Sequence, residues 1–163
     1  MEDIIYKDTK DLNKDDLERL FLSVEWSSGK YPQMLANALN NYGSVFTAWH
    51  NDKMVGLIGS MDDGIMTAYI HYLLVDPEYQ GKGIGRKLIE MTKCYYDKYL
   101  RIVLVAYGNA IGFYESCGFK GHNDSCPMYL TEMDDWKQYD YNKILVWKLL
   151  SYYLKMVKIW VSL

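Results

Sequence analysis

The sequence predicts an α/β domain of the α+β kind, followed by a C-terminal helical extension. Three observations carry this reading. Strand-like alternation and helical periodicity succeed one another along residues 2–130 in the order β-α-α-β-β-β-α-β-α-β-β. At the centre, Tyr69 to Lys87 (YIHYLLVDPEYQGKGIGRK) reads as a strand, a glycine-rich turn and a helix start. From Trp136 the chain changes to a long apolar pattern broken at intervals by lysines. The boundaries this suggests are residues 1–132 for the α/β domain and 133–163 for the extension.

Ile4-Ile5-Tyr6 is a short first strand. Asp11 or Asn13 can cap a helix that runs through Leu17, Leu20, Phe21 and Val24. Ser27-Ser28-Gly29-Lys30-Tyr31-Pro32 breaks the pattern, and a second helix uses Met34, Leu35, Ala38 and Leu39 before stopping near Asn40-Asn41-Tyr42-Gly43. Ser44 to His50 alternates as a strand, with Val45, Thr47 and Trp49 on one face and Phe46 and Ala48 on the other. Asn51-Asp52-Lys53 turns it into the return strand Met54 to Ile58, which makes a hairpin. Met61 to Gly64 is a further turn into the central strand. β-branched and aromatic residues favour that strand, and Asp76-Pro77 ends it, because proline supplies no ladder N–H and restricts the residue before it.

After the glycine turn, Leu88, Ile89, Met91, Thr92 and Tyr95 mark a helix to about Lys98. Arg101 to Ala106 is almost all apolar, which predicts a strand buried on both faces. Asn109 opens a short helix through Tyr114, closed by Cys117-Gly118, where glycine suits a left-handed cap. Phe119 and Lys120 enter another strand, and Met128 to Leu130 end the last one.

With 163 residues, one domain has room for a core. The net charge of -3 argues against non-specific nucleic-acid binding. Cys94, Cys117 and Cys126 show no metal-ligand spacing and read as reduced thiols. The start MEDIIYKDTK has neither a basic stretch nor an apolar run, so the expectation is a cytoplasmic protein without a metal.

The glycine turn carries the chemistry. The first N–H groups of a helix lack intrahelical partners and sit at the positive end of its dipole, so they hold anions. Gly81, Gly83 and Gly85 let a bulky phosphate approach the backbone, and Lys82, Arg86 and Lys87 add positive charge. Two phosphate signatures fail. No Gly-Lys-Ser/Thr occurs, as a P-loop requires. A G-x-G-x-x-G fingerprint started at Gly81 or Gly83 would place its third glycine on Arg86 or Leu88.

The third signature, Gln80-x-x-Gly83-x-Gly85 after V-D-P-E-Y, resembles the acyl-CoA pyrophosphate loop of the GNAT superfamily of N-acyltransferases. N-A-I-G-F-Y-E-S-C-G-F downstream (residues 109–119) is similar to that family's next motif, in the right order. The resemblance covers roughly residues 2–130. It implies a mixed, mostly antiparallel twisted sheet flanked by helices, with two parallel strands splayed apart to admit the pantetheine arm. It also implies acetyl-CoA as co-substrate, bound by Gln80, Gly81, Lys82, Gly83, Ile84, Gly85 and Arg86 and by the backbone of Leu73, Leu74 and Val75, where a bulge would present the oxyanion donor. Asn109 would bond the pantetheine arm or cap its helix, and Tyr114 would meet the CoA sulfur.

Transfer to an amine needs a proton acceptor, because alkylammonium groups have pKa values of about 10. His71, on the central strand, fits by type, its ordinary pKa being about 6.5; it reads equally as a packed strand histidine bonded to a neighbour. Glu25 could act instead, through water or by holding the substrate's cation. Tyr114, a phenol of pKa about 10, can protonate a thiolate whose conjugate acid lies near 8.5. Trp26, Trp49 and Tyr31 are candidate walls of the acceptor pocket. Against the transferase stands a non-catalytic acyl-CoA-binding module that senses or regulates. The acceptor, a small-molecule or peptide amine, is not legible. In the extension, lysines interrupt the apolar face too often for a membrane span. Its readings are packing on its own domain, packing across a homodimer, or lying in a membrane interface.

Overall fold

In a computed structural model, residues 3–122 and 127–128 are described. The elements are β1 (Ile4–Asp8), α1 (Lys14–Ser23), α2 (Pro32–Asn40), β2 (Ser44–His50), β3 (Lys53–Asp62), β4 (Thr67–Val75), α3 (Ile84–Tyr95), β5 (Arg101–Leu104) and α4 (Ile111–Ser116). Strands stand in chain order, β1-β2-β3-β4-β5. The first four are antiparallel and β5 runs parallel to β4, giving a mixed sheet. Among the described residues no helix is long and apolar enough to cross a membrane. The expected boundary at residue 132 and the whole extension lie outside the described residues.

Alternation sorts the strands onto two cores. Leu17, Leu20 and Phe21 of α1 and Leu35 and Leu39 of α2 pack on Val45, Met54, Leu57 and Leu74. On the opposite face Ile84, Leu88 and Ile89 of α3 pack on Phe46, Ala48, Val55, Ile58 and Ile70. The α1 cap is Asn13, whose Oδ1 accepts from Asp15 N at 2.9 Å. α3 ends at Tyr95, short of Lys98, because Tyr96 turns inward: its ring is buried and its hydroxyl donates to Asp62 Oδ2 at 2.7 Å.

Three local expectations change. β5 is covered on one face only: Ile102 and Leu104 pack on the α3 core, while Arg101 and Val103 are exposed. It is the edge strand among the described residues, and α1 and α2 pack instead on strands nearer the middle of the sheet. Phe119 and Lys120 are irregular, because the Phe119 N–H is taken by Tyr114 O in closing α4. The bulge of β4 sits at His71, earlier than Leu73: the register runs Ser60↔Ile70 and then Gly59↔Tyr72, leaving His71 as the extra residue.

Pairing of β4 with β5 stops at Ile70↔Leu104, so His71 to Val75 have no β5 partner. The free end of β4 is fixed from the other side. Asp76 N–H donates to Val55 O at 2.9 Å. Its buried carboxylate meets Lys53 at 3.0 Å and Arg19 at 3.3 Å and accepts from Glu78 N at 3.1 Å. Burial pushes this carboxyl's pKa up, but the Lys53 and Glu78 hydrogen bonds and the charges of Lys53 and Arg19 outweigh it, for a net lowering. A depressed carboxyl stabilises the fold above its unfolded pKa and stops doing so as pH falls through the folded value. Asp76→Ala is therefore expected to cost about 1–3 kcal/mol in urea melts at neutral pH, with wild type and variant converging as the pH drops below about 4. Equal melts at neutral pH would show that the triad does not fix this strand end.

Candidate active site

The strand end leads into the glycine turn through a one-turn helix, Pro77–Tyr79, capped by Asp76. Gln80 folds back and donates Nε2 to Val75 O at 3.0 Å, tying the turn to β4. Gly81 and Gly83 have φ of 75° and 84°, a region that favours glycine. A Cβ built on either would meet nothing within 4 Å, so this backbone opens onto free space. Gly83 caps α3 without a side-chain hydrogen bond, which leaves the first N–H groups of the helix, from Ile84 onward, facing that space. The Ile84 side chain is buried in the core and anchors this end of α3.

Gly85 does something else. Its Cβ would lie 3.3 Å from Phe113 Cζ, so the glycine admits the α4 ring against α3. Arg86 also serves this joint: Nη1 donates to Ser116 O and Nη2 to Ser116 Oγ, both at 2.9 Å. Lys82 lies over the Tyr79 ring, 4.7 Å from its centroid, with Lys53 at 5.2 Å. Tyr79 is held in place by a 2.8 Å hydrogen bond to His50 Nδ1.

On the open edge of β4, alternation decides which amides are available. Asp76 N–H points at β3, so that of Leu74 does too, and those of Leu73 and Val75 point into the space left by β5. Leu74 is buried in the α1–α2 core. Of the three backbone candidates, Leu73 and Val75 have the orientation to donate to a ligand there, and Leu74 does not.

The bulge gathers aromatic rings. Even-numbered residues before it (Ala68, Ile70) are buried, with Ile70 in the α3 core, whereas Tyr72 and Leu74 after it face α1 and α2. His71 thus stacks on Tyr72 at 4.1 Å and 22°, and on Tyr69 at 5.9 Å and 29°. Its Nδ1 is hydrogen-bonded to the hydroxyl of buried Tyr42. Burial holds the His71 pKa below the usual imidazole range. The residue as a whole is exposed, so this lowering favours a neutral imidazole within reach of solvent. Burial, reinforced by Tyr72 and Tyr69, raises the Tyr42 hydroxyl well above the ordinary phenol.

Tyr42 was invisible in the sequence, where it reads only as part of a helix stop. Trp26 extends the aromatic surface, 5.6 Å from Tyr72 and 6.0 Å from Phe21. Trp49 does not join it; it bonds Thr47 Oγ1 at 2.8 Å under Lys7. Tyr31 is exposed at the start of α2. Glu25 is exposed at φ 60°, a strained value for a non-glycine residue. It reaches the histidine's surroundings only through its neighbour Trp26.

Tyr114 lies edge-on between Phe113 at 5.1 Å and Phe119 at 6.0 Å. Burial, with a smaller contribution from Cys117, pushes its phenol up to about 12. It therefore stays protonated at working pH, a hydrogen-bond donor and a weaker acid than an ordinary tyrosine. Asn109 sits within a 3-10 turn, Gly108–Ala110, and is exposed; neither that turn nor α4 uses its side chain as a cap. The Gly85–Phe113 and Arg86–Ser116 contacts bring α4 to the glycine turn. Among the described residues no group of three or more His, Cys, Asp or Glu is gathered as a metal site.

Residues 41–121 match the family model of the acetyltransferase (GNAT) domain. The chain is 29% identical over 121 residues to an uncharacterised ycf52-like N-acetyltransferase of Prochlorococcus marinus, covering 71% of this chain and 67% of that one. It is 26% identical over 141 residues to the chloroplastic GCN5-related N-acetyltransferase 2 of Arabidopsis thaliana, covering 74% of this chain and 55% of that one. A GNAT family acetyltransferase from Streptococcus pneumoniae superposes with a TM-score of 0.70 at 25% identity, covering 80% of this chain and all of that one. The match thus spans little more than half of the plant relative.

Because Gly83 combines a left-handed φ with open space above it, Gly83→Val is expected to weaken acetyl-CoA binding about tenfold or more. Calorimetry on a variant whose circular dichroism matches wild type checks this; unchanged affinity would remove the turn from the site.

Proposed function

Since the chain belongs, by its acetyltransferase domain, to the GNAT superfamily, we propose that it moves an acetyl group from acetyl-CoA to a primary amine by direct attack in a ternary complex. The observation that carries this is the glycine turn. Gly81 and Gly83 open onto free space at the start of α3, beside a β4 edge whose Leu73 and Val75 amides have no strand partner among the described residues.

In this reading the turn and the first α3 amides hold the pyrophosphate, with Lys82 and Arg86 adding charge. The Leu73 and Val75 amides bond the pantetheine and the thioester oxygen, stabilising the charge that develops there. Asn109 bonds the same arm from the other wall. The acceptor amine comes to the aromatic face of β4. His71 takes one proton from its nitrogen as the new N–C bond forms and the C–S bond breaks. Tyr114 donates its hydroxyl proton toward the departing sulfur. With a phenol at about 12, full transfer to an ordinary thiolate runs uphill, so its contribution is a hydrogen bond that strengthens as charge grows on sulfur. Starting from the ammonium, the nitrogen sheds two protons. One passes through His71 to water and frees the lone pair; the second, lost once the N–C bond has formed, ends on the departing thiolate. The sum is amide, free thiol and one proton released to water. Glu25, exposed next to Trp26, attracts a cationic acceptor toward the margin of the aromatic face.

The test is release of free thiol from acetyl-CoA across a panel of amines. We expect amine-dependent release, and for Tyr114→Phe a fall in kcat of about 10- to 100-fold with acetyl-CoA affinity unchanged. Tight acetyl-CoA binding with no thiol released by any amine would replace the enzyme with a non-catalytic acyl-CoA-binding module. An unchanged kcat in the variant would take the sulfur away from Tyr114.

A further inference from the structure

We propose that Tyr42 is the positioning residue that sets the tautomer of His71, so that Nε2 presents its lone pair to the acceptor amine. This rests on the reading of His71 as the base. The geometry begins with the Nδ1 contact. The Tyr42 hydroxyl is bonded to His71 Nδ1, which leaves Nε2 as the nitrogen free for a substrate. A hydroxyl can either donate to that nitrogen or accept from it, so the choice depends on where its own proton goes.

Tyr42 stacks on Tyr72 with ring planes 8° apart, and the two hydroxyls interact. The Tyr72 hydroxyl in turn lies 3.5 Å from Ser28 Oγ, at the corner between α1 and α2. Either oxygen of each pair can donate, and we assign the Tyr42 proton to Tyr72 and the Tyr72 proton to Ser28. With both hydroxyls turned that way, Tyr42 offers its oxygen to His71, and Nδ1 must carry the hydrogen. The opposite tautomer would make Nε2 a donor, unable to take a proton from an amine.

The surroundings support a neutral relay. The titratable groups facing His71 are Tyr42, which follows α2, and Tyr69 and Tyr72 of β4. Burial raises the Tyr69 phenol and keeps the Tyr42 hydroxyl protonated. Lys10 bonds the Tyr42 backbone carbonyl rather than its hydroxyl, holding the residue without placing a cation on the relay. When His71 takes a proton on Nε2, the Nδ1 proton can pass to Tyr42 as Tyr42 passes its own to Tyr72 and Tyr72 to Ser28, with one proton leaving to water. The net change is one proton moved from ammonium to solvent, and no other bond is made or broken.

Two measurements test this. Long-range proton–nitrogen spectra of the full chain, with His71 assigned by a His71→Gln variant, report the tautomer without turnover. The expected result is hydrogen on Nδ1; hydrogen on Nε2 overturns the proposal. In kinetics, Tyr42→Phe keeps the ring and loses the oxygen. It should lower kcat about tenfold or more and move the acid limb of the pH profile to lower pH, since the imidazolium loses an acceptor, while acetyl-CoA affinity is unchanged. In a His71→Ala background the same substitution should change kcat less than about twofold, as groups acting through one another do not add. Additive losses, or an unmoved limb, overturn the role of Tyr42 while leaving that of His71 intact. If His71→Ala itself leaves kcat and the acid limb unchanged, the base reading fails and this proposal falls with it.

Discussion

The site depends on a ladder that stops. β4 and β5 pair from Thr67 to Ile70 and no further. Beyond that point β4 keeps its antiparallel partner, so it remains a strand, but among the described residues its other edge is open. Backbone N–H groups must be paired somewhere, and those of Leu73 and Val75 face outward where a ligand can pair them. A ladder continued to Val75 would satisfy those amides with β5 and leave the glycine turn beside a closed sheet.

Holding an open strand end in one place requires support from the remaining side, and Asp76 concentrates it. One residue bonds β3 through its N–H, draws in Lys53 and Arg19 through its carboxylate, and starts the short helix that leads into the turn. Gln80 ties the turn to the same strand. The bulge at His71, upstream of these contacts, changes which residues face which core. Tyr69, His71 and Tyr72 thereby come to share one aromatic surface without disturbing Leu74 in its packing. In the proposed reaction the donor side lies on the turn and the open edge, and the acceptor side on the bulge; edge and bulge both belong to the nine-residue strand β4.

Much of the frame was legible in the sequence because it rests on local signals. Alternation gave β2 its two faces, Asn13 its cap and Asp76-Pro77 the end of β4. The positive-φ positions at Gly81 and Gly83 follow from a glycine-rich turn before a helix. What escaped was set by contacts distant in sequence. The bulge position is a matter of register with β3, and nothing local to His71 distinguishes it from Leu73. Gly85 looks like a third phosphate glycine until Phe113 is seen against it, and Arg86 like a free cation until Ser116 is. Tyr42 sits in a helix stop with no pattern of its own; its place beside His71 comes from packing across 29 residues of chain. β5 reads as doubly buried because apolar content reports strand propensity, not how many layers cover it.

The central claim, that the open edge of β4 and the glycine turn together receive acetyl-CoA, is tested most directly by following backbone amides during a titration. Proton–nitrogen correlation spectra of the isotope-labelled protein should show saturable shifts with acetyl-CoA, largest at Leu73, Val75, Gly81, Gly83 and Ile84 and small at Leu74, whose amide faces β3. Saturable binding that leaves the Leu73, Val75 and Gly83 amides unmoved, or shifts Leu74 as strongly as its neighbours, would contradict the account.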